Sequence, residues 1–129
     1  MPTTAADLVS QAKAQVENLT PEQVAKELAD GAVLVDLREP GELANDGIIE
    51  GAIHAPRGML EFWADPSSPY HRPELNPERR TILYCASGGR SALAAAALGQ
   101  LGYTNVAHLD GGARAWIQAG LPVVESAGA

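Results

Sequence analysis

The residues best suited to chemistry in this 129-residue chain converge on one stretch, Thr81 to Ser91, which reads TILYCASGGRS. An apolar strand delivers Cys85 to its carboxyl end and a glycine-containing loop leads on into a helix, the position at which open α/β sheets bind ligands. Gly88 and Gly89 let the backbone curl tightly, so that successive N–H groups can point at whatever projects from Cys85, forming a nest for an anion. The helix dipole and the cation of Arg90 both favour thiolate over thiol, so the Cys85 pKa is expected to shift downward. That combination makes a sulfur nucleophile with no general base required. The bland alternative is a small buried hydrophobe, the common fate of a free cysteine. Two glycines and an arginine wrapped around its end favour the nucleophile. Arg90 could also be a solvated first-turn side chain, but a helix start suits an acid better than a cation, which points to an anion to meet.

Cys85 is the only cysteine, which excludes an intramolecular disulfide, a cysteine-based zinc cluster and a dithiol mechanism within the chain. His54, His71 and His108 are scattered without metal-ligand spacing, and no metal or organic cofactor is expected. Sixteen acidic against nine basic side chains give a formal charge of −7, which argues against a phosphate-neutralising face for nucleic acid. Ten of the acids lie in residues 1–50, opposed there by Lys13, Lys26 and Arg38, whereas residues 51–129 carry six charges of each sign. The part that holds Cys85 is therefore neutral overall. No run of about 18 apolar residues and no basic-then-apolar leader is visible, so no membrane association and a cytosolic location, where a single thiol stays reduced, are expected.

The elements that must position the loop follow from patterning. Leu8, Ala12, Val16 and Leu19 share one face of a first helix. Thr20, Pro21 and Gln23 form a capping-box start for a second helix that ends at Gly31. Ala32 to Asp36 reads as a buried strand, Pro40 opens a short helix, and Ala52 to Ala55 is a weaker strand closed by Pro56, Arg57 and Gly58. Four prolines between Asp65 and Arg80 predict a surface excursion outside the core. Strand Thr81 to Cys85, an alanine-rich helix Ser91 to Leu101, strand Asn105 to Leu109 and helix Ala113 to Ala119 complete the chain. Alternating strands and helices predict one α/β domain: a central, mostly parallel sheet of about five strands with helices on both faces.

Several motifs in this order resemble the single-domain rhodanese-like sulfurtransferases: Val35-Asp36-Leu37-Arg38-Glu39, Gly47 to Pro56 leading into Arg57-Gly58, the Cys85 to Arg90 loop, and Asp110-Gly111-Gly112 with Ala115-Trp116 and Ala119-Gly120-Leu121-Pro122. The resemblance covers about Thr20 to Val123. It implies a rhodanese-like domain over residues 20–124, with residues 1–19 an N-terminal helix outside the core and 125–129 a tail. It also implies that Cys85 takes a sulfane sulfur from a small anionic or persulfide donor and passes it to a thiol or cyanide-like acceptor. The N–H groups of Ala86, Ser87, Gly88, Gly89 and Arg90 would cradle the terminal sulfur, and Arg90 would help hold the donor. Four residues separate Cys85 from Arg90, the loop length the resemblance associates with sulfur transfer. Related phosphatases and arsenate reductases use five, which would put their arginine at the position of Ser91. Ala86 stands where thiosulfate-using relatives often have a larger or basic side chain, which implies a poor fit to thiosulfate. Ile48 and Glu50 also depart from the family's usual residues, at a structural turn.

Around this loop, Asp36, Arg57 and Trp63 are candidates for a pocket rim. Asp36 and Arg38 are weighed as structural, with Arg38 spaced to pair with Glu42 across a helical turn. Arg57 with Phe62 and Trp63 could line a mouth for a donor, or the aromatics could pack inward. Trp116 is read as a packing residue. A non-catalytic binding or redox-sensing module, and a phosphatase or arsenate reductase, remain as alternatives to sulfur transfer.

Overall fold

The computed structural model describes residues 2–126. Five strands form one sheet, β1 (Glu17–Leu19), β2 (Val33–Asp36), β3 (Ile53–His54), β4 (Thr81–Tyr84) and β5 (Val106–Leu109), in the order β1-β5-β4-β2-β3 with every pairing parallel. The helices are α1 (Ala5–Gln15), α2 (Pro21–Ala29), α3 (Pro40–Asp46), α4 (Leu60–Ala64), α5 (Gly89–Gln100) and α6 (Gly112–Gln118). The expected α/β architecture is what the chain adopts.

Two buried clusters explain the layering. On one face Val33, Val35 and Leu83 of the sheet meet Leu60 and Ala64 of α4 and Ala94, Ala95 and Leu98 of α5. On the other, Leu34, Ile82 and Leu109 meet Val24 of α2 and Ala113 and Trp116 of α6. Strands β2 and β4 are buried along their whole length, as a parallel sheet covered on both faces requires. Trp116 packs as expected, its Nε1–H donating to the Pro122 carbonyl at 2.8 Å. The Thr20 capping box also forms: Thr20 Oγ1 accepts from the Gln23 N–H at 3.2 Å, and the Thr20 N–H donates to Gln23 Oε1 at 2.9 Å.

Two expectations are corrected. The first helix ends at Gln15 instead of continuing through Leu19, and Glu17–Leu19 becomes the edge strand β1, paired with β5 through Leu19 and Leu109. Leu19 belongs to the second core cluster and α1 packs along α5, so this segment is not outside the core. The proline-rich excursion between Asp65 and Arg80 also contributes to the interior, because Leu75 is buried in the first cluster. It is anchored by the Arg72 N–H donating to the Trp63 carbonyl at 2.8 Å and by the Arg72 guanidinium stacked 4.0 Å from the Trp63 ring. Among the described residues no helix is long and apolar enough to cross a membrane. The proposed tail lies partly outside the described residues, at 127–129.

The sheet order places β2 and β4 side by side at its centre. From there the chain runs outward to β3 on one flank and to β5 on the other, which makes the crevice above β2 and β4 the topological switch point. The Cys85 loop leaves β4 at that crevice.

Candidate active site

Cys85 follows β4 directly and is 1% exposed, with the loop Ala86 to Gly88 turning above it into α5. Gly88 makes the turn possible. It caps α5 at φ +103, a conformation that side-chain-bearing residues rarely adopt, and its N–H donates to Cys85 Sγ at 3.2 Å. Burial raises the Cys85 pKa, but the Ser91 N–H, the Ser91 side chain within reach of the sulfur, and the Gly88 and Ser87 N–H groups together outweigh it, and the net shift is downward.

The loop is held from below by the start of α6. The Ala113 N–H donates to the Cys85 carbonyl at 2.8 Å and the Arg114 N–H to the Ala86 carbonyl at 3.0 Å. This close approach explains the paired glycines. A Cβ on Gly112, itself at φ +61, would lie 2.5 Å from the Cys85 carbonyl oxygen, and a Cβ on Gly88 would lie 3.1 Å from the Gly111 nitrogen. The Asp110-Gly111-Gly112 motif thus acts as the seat of the cysteine loop. On the remaining side α1 closes in, with the Lys13 ammonium 3.0 Å from the Asp110 carboxylate.

Arg90 enters at the first turn of α5 close enough to Cys85 for the sulfur to help raise its pKa, but its charge is shared with a carboxylate. Its two terminal nitrogens donate to Glu42 Oε1 and Oε2 of α3 at 2.7 and 2.9 Å. The guanidinium pulls the Glu42 carboxyl down to about 2 despite its partial burial. The spacing that would allow Arg38 to pair with Glu42 is not used, which corrects that reading. Arg38 turns inward, and its Nε and Nη2 donate to Asp36 Oδ1 and Oδ2 at 3.0 and 2.8 Å.

Asp36 is therefore not a rim residue. It is 1% exposed, accepts a further hydrogen bond from Tyr84 Oη at 2.6 Å, and the Arg38 Nη2 that it holds also reaches the Gly47 carbonyl at 2.9 Å. The network fixes the ends of β2 and β4, and burial beside Asp36 pushes the Tyr84 hydroxyl pKa upward. Arg57 pairs with Glu61 one turn along at 2.7 Å, and Trp63 packs against the first core cluster beneath Arg72. Both candidates thus make their contacts in the core and the 61–72 segment.

Sequence reasoning passed over Glu42 as a neighbour of Arg90, Ser91 as a neighbour of the sulfur with His108 behind it, and the glycine seat. Ser91 Oγ lies 3.7 Å from Cys85 Sγ and 2.8 Å from His108 Nδ1. The legible signals were a hydroxyl residue directly after Arg90 and a histidine on a strand whose neighbours are apolar.

With this geometry in view, comparison with known proteins assigns the family. The rhodanese-like domain model matches residues 20–119, and the chain belongs to that family. A sulfurtransferase from Allochromatium vinosum is 36% identical over 115 residues, spanning 88% of this chain and 99% of the relative. A solved structure from Rhodopseudomonas palustris, described as a protein of unknown function and possible tyrosine phosphatase, superposes with a TM-score of 0.88 at 40% identity over 96% of this chain and 99% of that one. The polysulfide-sulfur transferase homodimer from Wolinella succinogenes superposes with a TM-score of 0.74 at 30% identity, covering 93% of this chain and 86% of that one. Family and relatives together support sulfurtransferase activity in general.

Proposed function

We propose that the protein moves a sulfane sulfur through a persulfide on Cys85. The observation that carries this is the Cys85 sulfur at the end of β4, 3.2 Å from the Gly88 N–H, in a loop seated on the glycines that open α6. The Cys85 thiolate attacks the outer sulfur of a donor. The donor's sulfur–sulfur bond breaks and the rest of the donor leaves with its electron pair, as sulfite from thiosulfate or a thiolate from a persulfide. The new outer sulfur carries the negative charge and lies over the loop N–H groups, which are already oriented and need no reorganisation. In the second step an acceptor, cyanide or a thiolate, attacks that outer sulfur and the pair returns to Cys85 Sγ. Charge is conserved in each step without a metal or organic cofactor.

The Arg90–Glu42 pair bears on the donor. Because Arg90 is already neutralised, the loop offers an anion mainly neutral N–H groups, which suits a singly charged persulfide better than dianionic thiosulfate. The cytosol, rich in thiol persulfides and thiols, is the setting this chemistry fits.

Steady-state transfer to cyanide, read as thiocyanate, with thiosulfate and a low-molecular-weight persulfide as alternative donors, tests the proposal. Turnover that is higher in kcat/KM for the persulfide and absent in Cys85→Ser is expected. No thiocyanate from either donor would overturn it. The phosphatase description of the Rhodopseudomonas relative favours a second reading, aryl phosphate hydrolysis dependent on Cys85. Against it stands the four-residue spacing from Cys85 to Arg90, with Ser91 where a longer loop would put its arginine.

A further inference from the structure

Behind the Cys85 loop runs a second polar chain that the sulfur chemistry above leaves unused. Cys85 Sγ lies 3.7 Å from Ser91 Oγ, Ser91 Oγ lies 2.8 Å from His108 Nδ1, and His108 Nε2 lies 2.7 Å from Asn18 Oδ1. Ser91 and His108 are fully buried, whereas Asn18 sits on the exposed edge strand β1. Asn18 sets the direction of every bond. Its Nδ2 donates to the carbonyls of Lys13 and Val16 at 2.9 and 3.1 Å, so its oxygen must face the histidine. An amide oxygen only accepts, hence Nε2 carries the ring hydrogen and Nδ1 presents a bare lone pair.

The ring stays neutral at ordinary pH. Burial pushes His108 down to about 4, with the Asp110 carboxylate and the Lys13 ammonium acting in opposite directions. Two acceptors compete for the one Ser91 hydroxyl hydrogen, the Gly88 carbonyl at 3.3 Å and Nδ1 at 2.8 Å; the shorter contact to the bare Nδ1 lone pair takes it, and lone pairs turn toward the sulfur. A serine in that orientation can accept from a thiol, but the hydroxyl that would lower the Cys85 pKa if it turned its hydrogen to sulfur then gives nothing to a thiolate. The charged groups acting on the chain are Lys13 of α1 and Asp110 after β5, paired beside His108, and Arg90 of α5, paired with Glu42 of α3, beside Cys85.

We propose that His108, oriented by Asn18, is a positioning residue that withholds the Ser91 hydroxyl hydrogen from Cys85 and so restrains the thiolate. The consequence for transfer rests on Cys85 being the sulfur carrier. When the outer sulfur departs, the electron pair of the broken bond lands on Sγ, and the hydrogen that could stabilise it is held on His108. The chain thus favours retention of the carried sulfur over its release.

The experiment is the pH dependence of iodoacetamide alkylation of the full chain, whose single cysteine makes the readout unambiguous. His108→Leu removes the Nδ1 acceptor. Asn18→Ala, at an exposed position, frees the ring to take the other tautomer, which lets Ser91 turn its hydrogen to sulfur. Both variants are expected to titrate at lower pH, with about threefold to tenfold more thiolate below the titration midpoint, the size of one ordinary hydrogen bond. The shift should vanish when either change is made in a Ser91→Ala background. An unchanged midpoint in Asn18→Ala would reduce the chain to packing, and a raised midpoint would make His108 a proton acceptor for the thiol; either overturns the proposal. Should His108→Leu fail to fold by circular dichroism, Asn18→Ala decides alone. Alkylation requires no sulfur transfer, so a lowered midpoint in a protein that never turns over would refute the transfer reading and leave this one standing.

Discussion

Arg90 and Glu42, 48 positions apart in sequence, meet as a two-point ion pair across the crevice between α5 and α3, with N···O distances of 2.7 and 2.9 Å. The one cation of the cysteine loop is thereby shared between a protein carboxylate and the Cys85 sulfur before any donor arrives. Glu42→Gln is expected to free Arg90 and raise kcat/KM for thiosulfate by about threefold to tenfold, with a smaller gain for a singly charged persulfide. Steady-state kinetics at low and high salt checks this, since a gain of electrostatic origin shrinks as salt rises. Equal gains for both donors would place the effect elsewhere.

Gly112→Ala introduces a methyl group 2.5 Å from the Cys85 carbonyl at a positive φ, and the obstacle is backbone that cannot swing aside. Destabilisation of about 1–3 kcal/mol is expected. Loss of transfer should exceed what the unfolded fraction explains, because the Ala113 and Arg114 N–H groups that seat the loop are displaced. Chemical denaturation and activity on the same preparation separate the two effects.

The Asp36–Arg38–Tyr84 network makes the opposite kind of prediction. Asp36→Ala leaves a guanidinium that is 2% exposed without its carboxylate, so stability should fall by about 3–5 kcal/mol. Tyr84→Phe removes one hydroxyl and should cost about 1–3 kcal/mol. For Tyr84→Phe, the folded fraction is expected to keep its thiol titration, since the network shapes strand ends and not the sulfur's surroundings.

Acid sensitivity should trace to His108. Its folded pKa of about 4 lies below the unfolded value of 6.5, so between those two pH values the unfolded chain binds a proton that the buried ring refuses. The stability contribution is complete above pH 6.5 and is lost progressively as pH falls through that window, by an amount on the order of 3 kcal/mol. Thermal unfolding from pH 7 to pH 4.5 should show a steeper decline in the natural protein than in His108→Leu. Glu42 acts at lower pH: its carboxyl is held at about 2 against 4.5 in the unfolded chain, so its contribution is complete above the ordinary carboxylate range and is lost progressively as pH falls from 4.5 to about 2.

The cysteine loop was readable because its logic is local: an apolar strand, a glycine able to take φ +103 and a helix start lie within ten residues. β1 was not, because Glu17-Asn18-Leu19 has no strand signature of its own and exists through pairing with β5. Asp36 stands as both a rim candidate and a structural residue in the sequence, because an acid at a strand end can face solvent; Arg38, two residues on, folds back over it and makes it structural. Glu42 had a plausible local partner in Arg38, and nothing in spacing could reveal that Arg90 would replace it. His108 carries only the weak signal of a histidine among apolar strand residues, while its meaning here comes from Ser91 and Asn18 arriving from other elements.

The central claim is that Cys85 carries the transferred atom, and intact-mass spectrometry after incubation with a low-molecular-weight persulfide or thiosulfate tests it most directly. The account predicts a gain of one sulfur atom, removed by cyanide or a thiol and absent in Cys85→Ser. A correctly folded protein that gains no sulfur from either donor, or gains it equally in Cys85→Ser, would contradict it.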